Sequence, residues 1–90
     1  MDSYVLNHAI ERYGKDAQIT MLLEEMAELQ NAVCKFGRGR STAADIAEEI
    51  ADVEIMLEQA KIIFECRGLT ESIKHSKVER LRRRLEGRDD

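Results

Sequence analysis

Glycine breaks at Gly14, Gly37 with Gly39, Gly68 and Gly87 divide a chain that contains no proline, and between them apolar residues recur every three or four positions. This pattern constrains the fold more than any other feature. Spacing of three and four puts side chains on one face of an α-helix, and glycine just past such a stretch ends it because it tolerates the left-handed conformation. The spacing predicts a first helix over about 3–13, with Asp2 or Ser3 as N-cap and Val5, Leu6, Ala9, Ile10 and Tyr13 as its stripe. A second helix runs over about 17–36, begun by Asp16, with Ile19, Leu22, Leu23, Met26, Leu29, Val33 and Phe36 on one face. A third covers about 43–66, with Ile46, Ile50, Val53, Leu57, Ala60 and Phe64. Thr42 caps it, and Asp45 three residues on makes a capping box. The fourth starts from Thr70 as N-cap and ends near Glu86, with Ile73, Val78, Leu81 and Leu85 as its apolar side.

The connections are short, so neighbouring helices are expected to run antiparallel. The expected fold is all-α and four-helix bundle-like: two long helices, two flanking ones, one domain over residues 1–90. A chain of 90 residues buries a modest core, and such domains lean on oligomerisation or a bound ion, so completion of the bundle by oligomerisation is expected. No apolar run approaches the roughly 18 residues that cross a membrane, and the N-terminus lacks the basic-then-apolar pattern of a secretory signal. Cys34 and Cys66 form no CxxC pair and read as free thiols in a reduced cytoplasm.

The acids carry the chemistry. LLEEMAELQNA (22–32) and DIAEEIADVEIML (45–57) each crowd carboxylates beside apolar residues. A solvated helix face normally offers a base three or four residues away. Glu25, Glu28, Glu49 and Asp52 have none at those offsets, although Glu11 has Lys15, Glu58 has Lys61, and Glu79 has Arg82 and Arg83. Like charges so placed repel, and partial burial would worsen that. A divalent cation relieves both: two i, i+3 carboxylate pairs on antiparallel helices can close around one ion. All-oxygen ligation favours Mg²⁺, with Mn²⁺ as a substitute, and Mg²⁺ takes phosphate oxygens as further ligands. His8 and His75 do not stand three residues after a glutamate, as a di-iron bundle requires, and read as surface or boundary residues.

Charge is uneven along the chain. Residues 1–66 hold 13 acids and 6 bases, residues 67–90 hold 5 and 8, and the net charge is −4. Lys74, Lys77, Arg80 and Arg84 recur at spacings of three and four on the last helix and could meet a substrate's anionic end. Arg82, Arg83 and Arg88 read instead as partners for acids of a neighbouring helix or subunit. The basic loop GRGRS (37–41) is expected near one end of the acid-bearing helices; whether Arg38 or Arg40 reaches substrate stays open in the sequence, with solvent as the favoured side.

EEMAE (24–28) and EEIAD (48–52), with twenty residues between Glu28 and Glu49, give E-x-x-E, a spacer and E-x-x-D. This resembles the all-α nucleotide pyrophosphatases of the MazG-like superfamily over about residues 4–85. RYGKDAQITMLLEEMAEL resembles the start of the family's first metal helix, with Gln18 ahead of the acids, and KVERLRRRL resembles its later phosphate-contacting segment. The resemblance implies metal binding by Glu25, Glu28, Glu49 and Asp52, with a water positioned by Glu24 or Glu25. It implies substrate contacts from Gln18, Lys77 and Arg80, with Lys74 beside them. It further implies a nucleoside triphosphate substrate, cleaved between the α and β phosphates for nucleotide pool cleaning, and a homodimer or homotetramer. The chain has no Trp, and Ser76 and Val78 rather than Asn flank Lys77, so the nucleobase stays unassigned. Two rivals stand beside this reading. Phosphoribosyl-ATP pyrophosphohydrolase shares the superfamily, but the histidine it usually carries soon after the second motif is missing from VEIML. A non-enzymatic helical interaction module explains the arginines but not the partnerless acids, and the net negative charge disfavours nucleic acid.

Overall fold

The computed structural model describes residues 1–87 and contains four helices in the order α1 (Ser3–Tyr13), α2 (Lys15–Gly37), α3 (Ala43–Ile63) and α4 (Arg67–Leu85), with no strand among the described residues. The all-α expectation holds. Arg88 lies outside the described residues. No helix is long and apolar enough to cross a membrane.

The helix ends follow from local chemistry. Asp2 caps α1, its carboxylate accepting from the Tyr4 and Val5 amides. Gly14, at φ 93°, closes α1 and opens α2. Glu11 and Lys15 do not pair: the break at Gly14 falls between them, and the one-turn alignment of a continuous helix is lost. The stop after α2 is Gly39, not Gly37. The Gly39 amide donates to Phe36 O and the Arg40 amide to Lys35 O, a Schellman closure with Gly39 left-handed at φ 70°. Thr42 and Asp45 form the expected capping box of α3.

Two expectations are corrected at the other end of α3. The helix ends at Ile63, and Gly68 does not stop it. Glu65 takes the left-handed position at φ 51°, with the Glu65 amide donating to Ile62 O and the Cys66 amide to Lys61 O. Thr70 is not the cap of α4. The helix begins at Arg67 behind Cys66, and the Thr70 hydroxyl turns back toward Cys66 Sγ at 3.6 Å. Both cysteines are free thiols.

α2 and α3 form an antiparallel hairpin with a regular register. Gln18 stands opposite Gln59, Glu25 near Asp52, and Glu28 near Glu49. α1 lies across both helices and buries Leu6. α4 touches α3 alone and buries no residue. The four helices therefore do not close into a compact bundle within one chain. The radius of gyration is 16.3 Å, against roughly 12 Å for a compact chain of this length.

The seam also differs from the expected one. Among the described residues the buried apolar side chains are Leu6, Ala32, Val53 and Met56, joined by two buried amides, Gln18 and Gln59. Most of the continuous apolar stripe is exposed instead, with Leu23, Val33, Phe36 and Phe64 each more than half accessible. Periodicity groups residues onto a face but does not say which of two faces meets the partner within the chain. Here Gln18, Glu25 and Ala32, seven residues apart, line the seam, and the more apolar face is left uncovered.

Candidate metal centre

Because α2 and α3 run antiparallel in that register, two motifs distant in sequence converge. Carboxylate oxygens of Glu25, Glu49 and Asp52 lie within 4.8 Å of one another. Glu25 and Glu49 are half-buried and Asp52 is exposed. One oxygen of each buried acid, Glu25 Oε2 and Glu49 Oε2, is shut off from solvent and has no hydrogen-bond partner. Such an atom has lost its water and gained nothing in return, an arrangement native structures rarely tolerate without an ion or ligand.

The electrostatics agree. Burial first, then the charges of Glu28 and Asp52, push the Glu25 carboxyl above the ordinary carboxylate range. Burial first, then Glu28 and Asp52, does the same to Glu49. No basic side chain offsets either shift. Three carboxylates with two oxygens desolvated and unpartnered suit a hard divalent cation that keeps several other ligand positions for water or phosphate oxygen. The residues present fit such an ion.

Of the sequence-predicted metal ligands, the structure brings together Glu25, Glu49 and Asp52. Glu28 stands at the edge, exposed, its charge acting on both Glu25 and Glu49. Glu24 is exposed, joins neither the cluster nor the cavities beside it, and so is not placed to act with them; one residue along a helix turns the side chain about 100°. Gln18 is only 7% exposed, and its Nε2 donates to Gln59 Oε1 at 2.6 Å. The basic residues of α4 line neither of the two cavities beside the cluster. Lys74 lies 3.6 Å from Glu71 in an ion pair, and Lys77 and Arg80 are exposed on the same helix.

Two cavities flank the carboxylates. On the α1 side, Glu25 and Asp52 stand at the wall of a largely apolar cleft of about 550 Å³, formed by Ala9, Ala17, Met21, Ile55 and Met56 around the Gln18–Gln59 pair. On the loop side, Glu28 and Glu49 open onto a polar cavity of about 270 Å³ that also receives Lys35 and Arg40. Gln59 and Lys35 were not singled out in sequence as site residues, and the role of Arg40 was left open there. The available signal was spacing: Gln59 follows Asp52, and Lys35 follows Glu28, by seven residues, two turns along the same face.

No protein-family model, curated protein or solved structure matches this chain. What the fold and site define is a class: an all-α chain with a carboxylate cluster at a helix hairpin, able to hold a metal ion.

Proposed function

We propose that the chain is a Mg²⁺-dependent nucleoside triphosphate pyrophosphohydrolase, converting the triphosphate and water to a monophosphate and pyrophosphate. The observation that carries this reading is the two buried, partnerless oxygens, Glu25 Oε2 and Glu49 Oε2, on acids from two antiparallel helices whose carboxylates come within 4.8 Å of one another and of Asp52. Support also comes from the E-x-x-E and E-x-x-D motifs, whose resemblance to MazG-like enzymes rests on these same residues.

In this reading Glu25, Glu49 and Asp52 hold the ion, which when bound supplies charge neutralisation at the phosphate oxygens and acidifies water. Glu28, at the edge of the cluster and exposed, is in position to orient the attacking water or complete the ligand set. The apolar cleft on the α1 side has the size and lining for a nucleoside. Gln18 and Gln59 present an amide edge at its wall.

The reading includes a homo-oligomer. Leu23, Val33, Phe36, Ile50, Leu57 and Phe64 leave substantial apolar surface accessible on α2 and α3, and the buried core of the single chain is small. Contiguous apolar surface of this kind marks an interface. α4, with Leu69, Ile73, Val78, Leu81 and Leu85 all exposed, then packs on a neighbour, and that packing is how Lys77 and Arg80 come near a cluster.

The test is a product-release assay across ribo- and deoxyribonucleoside triphosphates, with Mg²⁺ and with chelator. Metal-dependent formation of a monophosphate and pyrophosphate is expected from at least one of them. Orthophosphate as the product, or no release by folded and Mg²⁺-supplied protein, contradicts the reading.

A further inference from the structure

We infer that Lys35 and Arg40 form an anion subsite that takes the terminal phosphates of the substrate, at the opposite end of the carboxylate cluster from the apolar cleft; this rests on the metal-dependent phosphate chemistry proposed above.

Lys35 is near the end of α2, and Arg40 sits just beyond it. The Lys35 carbonyl accepts from the amides of both Arg38 and Arg40, at 3.0 and 2.8 Å, folding the loop back over the helix end. Gly39, left-handed at φ 70°, makes that return possible. The Ser41 hydroxyl then donates to Ala32 O at 2.7 Å and pins the loop to the buried part of α2. Arg40 thereby lines the polar cavity while staying exposed to solvent, whereas Arg38 does not line that cavity.

Neither Lys35 nor Arg40 is engaged by another side chain through an ion pair or hydrogen bond, although they share the cavity with Glu28, Asp45, Glu48 and Glu49. The Asp45 carboxylate is already engaged by the Thr42 amide at 2.8 Å. Elsewhere the chain closes such contacts readily, as Arg67 does on Glu58 at 2.6 Å. Two cations and several acids facing an open space of about 270 Å³ match one kind of guest in particular. A metal–polyphosphate brings a cation for the acids and anionic oxygens for Lys35 and Arg40. A bare anion would meet the acids, and a bare cation would meet the lysine and arginine. The polarity of the site follows: apolar cleft, carboxylates, then cations, in line along the α2–α3 seam. Arg40 offers a planar fork for phosphate oxygens, and Lys35 a point charge beside it.

The experiment is titration of the full chain with inorganic pyrophosphate, with and without Mg²⁺, for wild type, Lys35→Ala, Arg40→Ala and Arg38→Ala, with helicity checked by circular dichroism. Wild type is expected to bind pyrophosphate in the presence of Mg²⁺ and much less without it. Lys35→Ala and Arg40→Ala are each expected to weaken binding about tenfold. Arg38→Ala removes the same charge from the same loop and is expected to change it less than about twofold. Absence of Mg²⁺-dependent binding by wild type, wild-type affinity in the Lys35 and Arg40 variants, or an equal loss in the Arg38 variant overturns the assignment. Pyrophosphate binding with this pattern, in a protein that turns over no nucleoside triphosphate, keeps the subsite and removes the pyrophosphohydrolase reading instead.

Discussion

The molecule treats half-buried carboxylates in two opposite ways. At the junction of α3 and α4, Glu58 receives Lys61 Nζ at 2.7 Å and Arg67 Nη1 at 2.6 Å. Those two hydrogen bonds hold its carboxyl down to about 2. Lys61 reaches on to Glu71 at 3.3 Å, so the network ties α3 to a helix, α4, that buries no residue of its own. About two and a half turns earlier on α3, Glu49 is also half-buried but pairs with no base, and its carboxyl is pushed up, not down. The same helix thus shows that the chain neutralises a buried acid internally at one end and leaves a group of them unneutralised at the other. The difference argues that the charge balancing Glu25, Glu49 and Asp52 comes from outside the chain.

The largest expected effect would break the comparison on the unneutralised side. Glu49→Gln keeps the shape and removes the charge. If the metal reading is right, turnover falls at least about a hundredfold, while thermal stability without metal rises because repulsion is relieved. Near-normal turnover of any active nucleotide by this variant would remove Glu49 from the metal centre.

The two regions should also respond to pH with opposite signs. Glu25 and Glu49 have raised carboxyls, so the stability they contribute is complete below the unfolded value near 4.5 and is lost as pH rises through their folded values. Glu58 is lowered, so its contribution is present above 4.5 and disappears as pH falls toward about 2. Protons and Mg²⁺ compete for Glu25 and Glu49. Melting curves with and without Mg²⁺ are therefore expected to separate more at pH 8 than at pH 5, and equal separation would detach the metal from these groups.

On the neutralised side, Glu58→Gln is expected to cost about 1 kcal/mol, as for a partly exposed ion-pair network. Hydrogen exchange should show the loss concentrated in the first turns of α4. Uniform destabilisation would mean that the network does not fasten that helix.

The smallest effect separates backbone from charge at the same junction. Glu65 adopts a left-handed conformation that glycine takes without penalty. Glu65→Gly is expected to stabilise the chain by about 1 kcal/mol, read in denaturant unfolding. A loss would show that the Glu65 side chain matters more than its φ angle.

Much of this was readable in the sequence where local rules act alone. The capping box at Thr42 and Asp45, the Asp2 cap and the breaks at Gly14 and Gly39 all depend on neighbours a few residues away. The end of α3 was not readable in the same way, because a left-handed Glu65 carries no residue signature while Gly68 offers a false one inside α4. The acid cluster was readable because bases were missing at three and four residues from each acid. Its inner membership was readable only in part: Glu25, Glu49 and Asp52 were expected, but Glu28, expected with them, stands at the edge. Glu24, Glu25 and Glu28 occupy one stretch of helix, and only the register of α3 against α2 selects Glu25 as the buried member. The same register decided that Gln18 meets Gln59 and that the apolar stripe stays uncovered, and the loop after α2 puts Arg40 on the same cavity as Lys35.

The most direct test of the central claim is a Mg²⁺ titration of wild type and Glu49→Gln followed by thermal unfolding at pH 8. Saturating Mg²⁺ is expected to raise the wild-type melting temperature by several degrees, the size expected for about 1 kcal/mol of binding linkage in a domain this small, and to leave Glu49→Gln unmoved. A wild-type melting temperature that ignores Mg²⁺, or an equal rise in the variant, would contradict a metal centre at Glu25, Glu49 and Asp52.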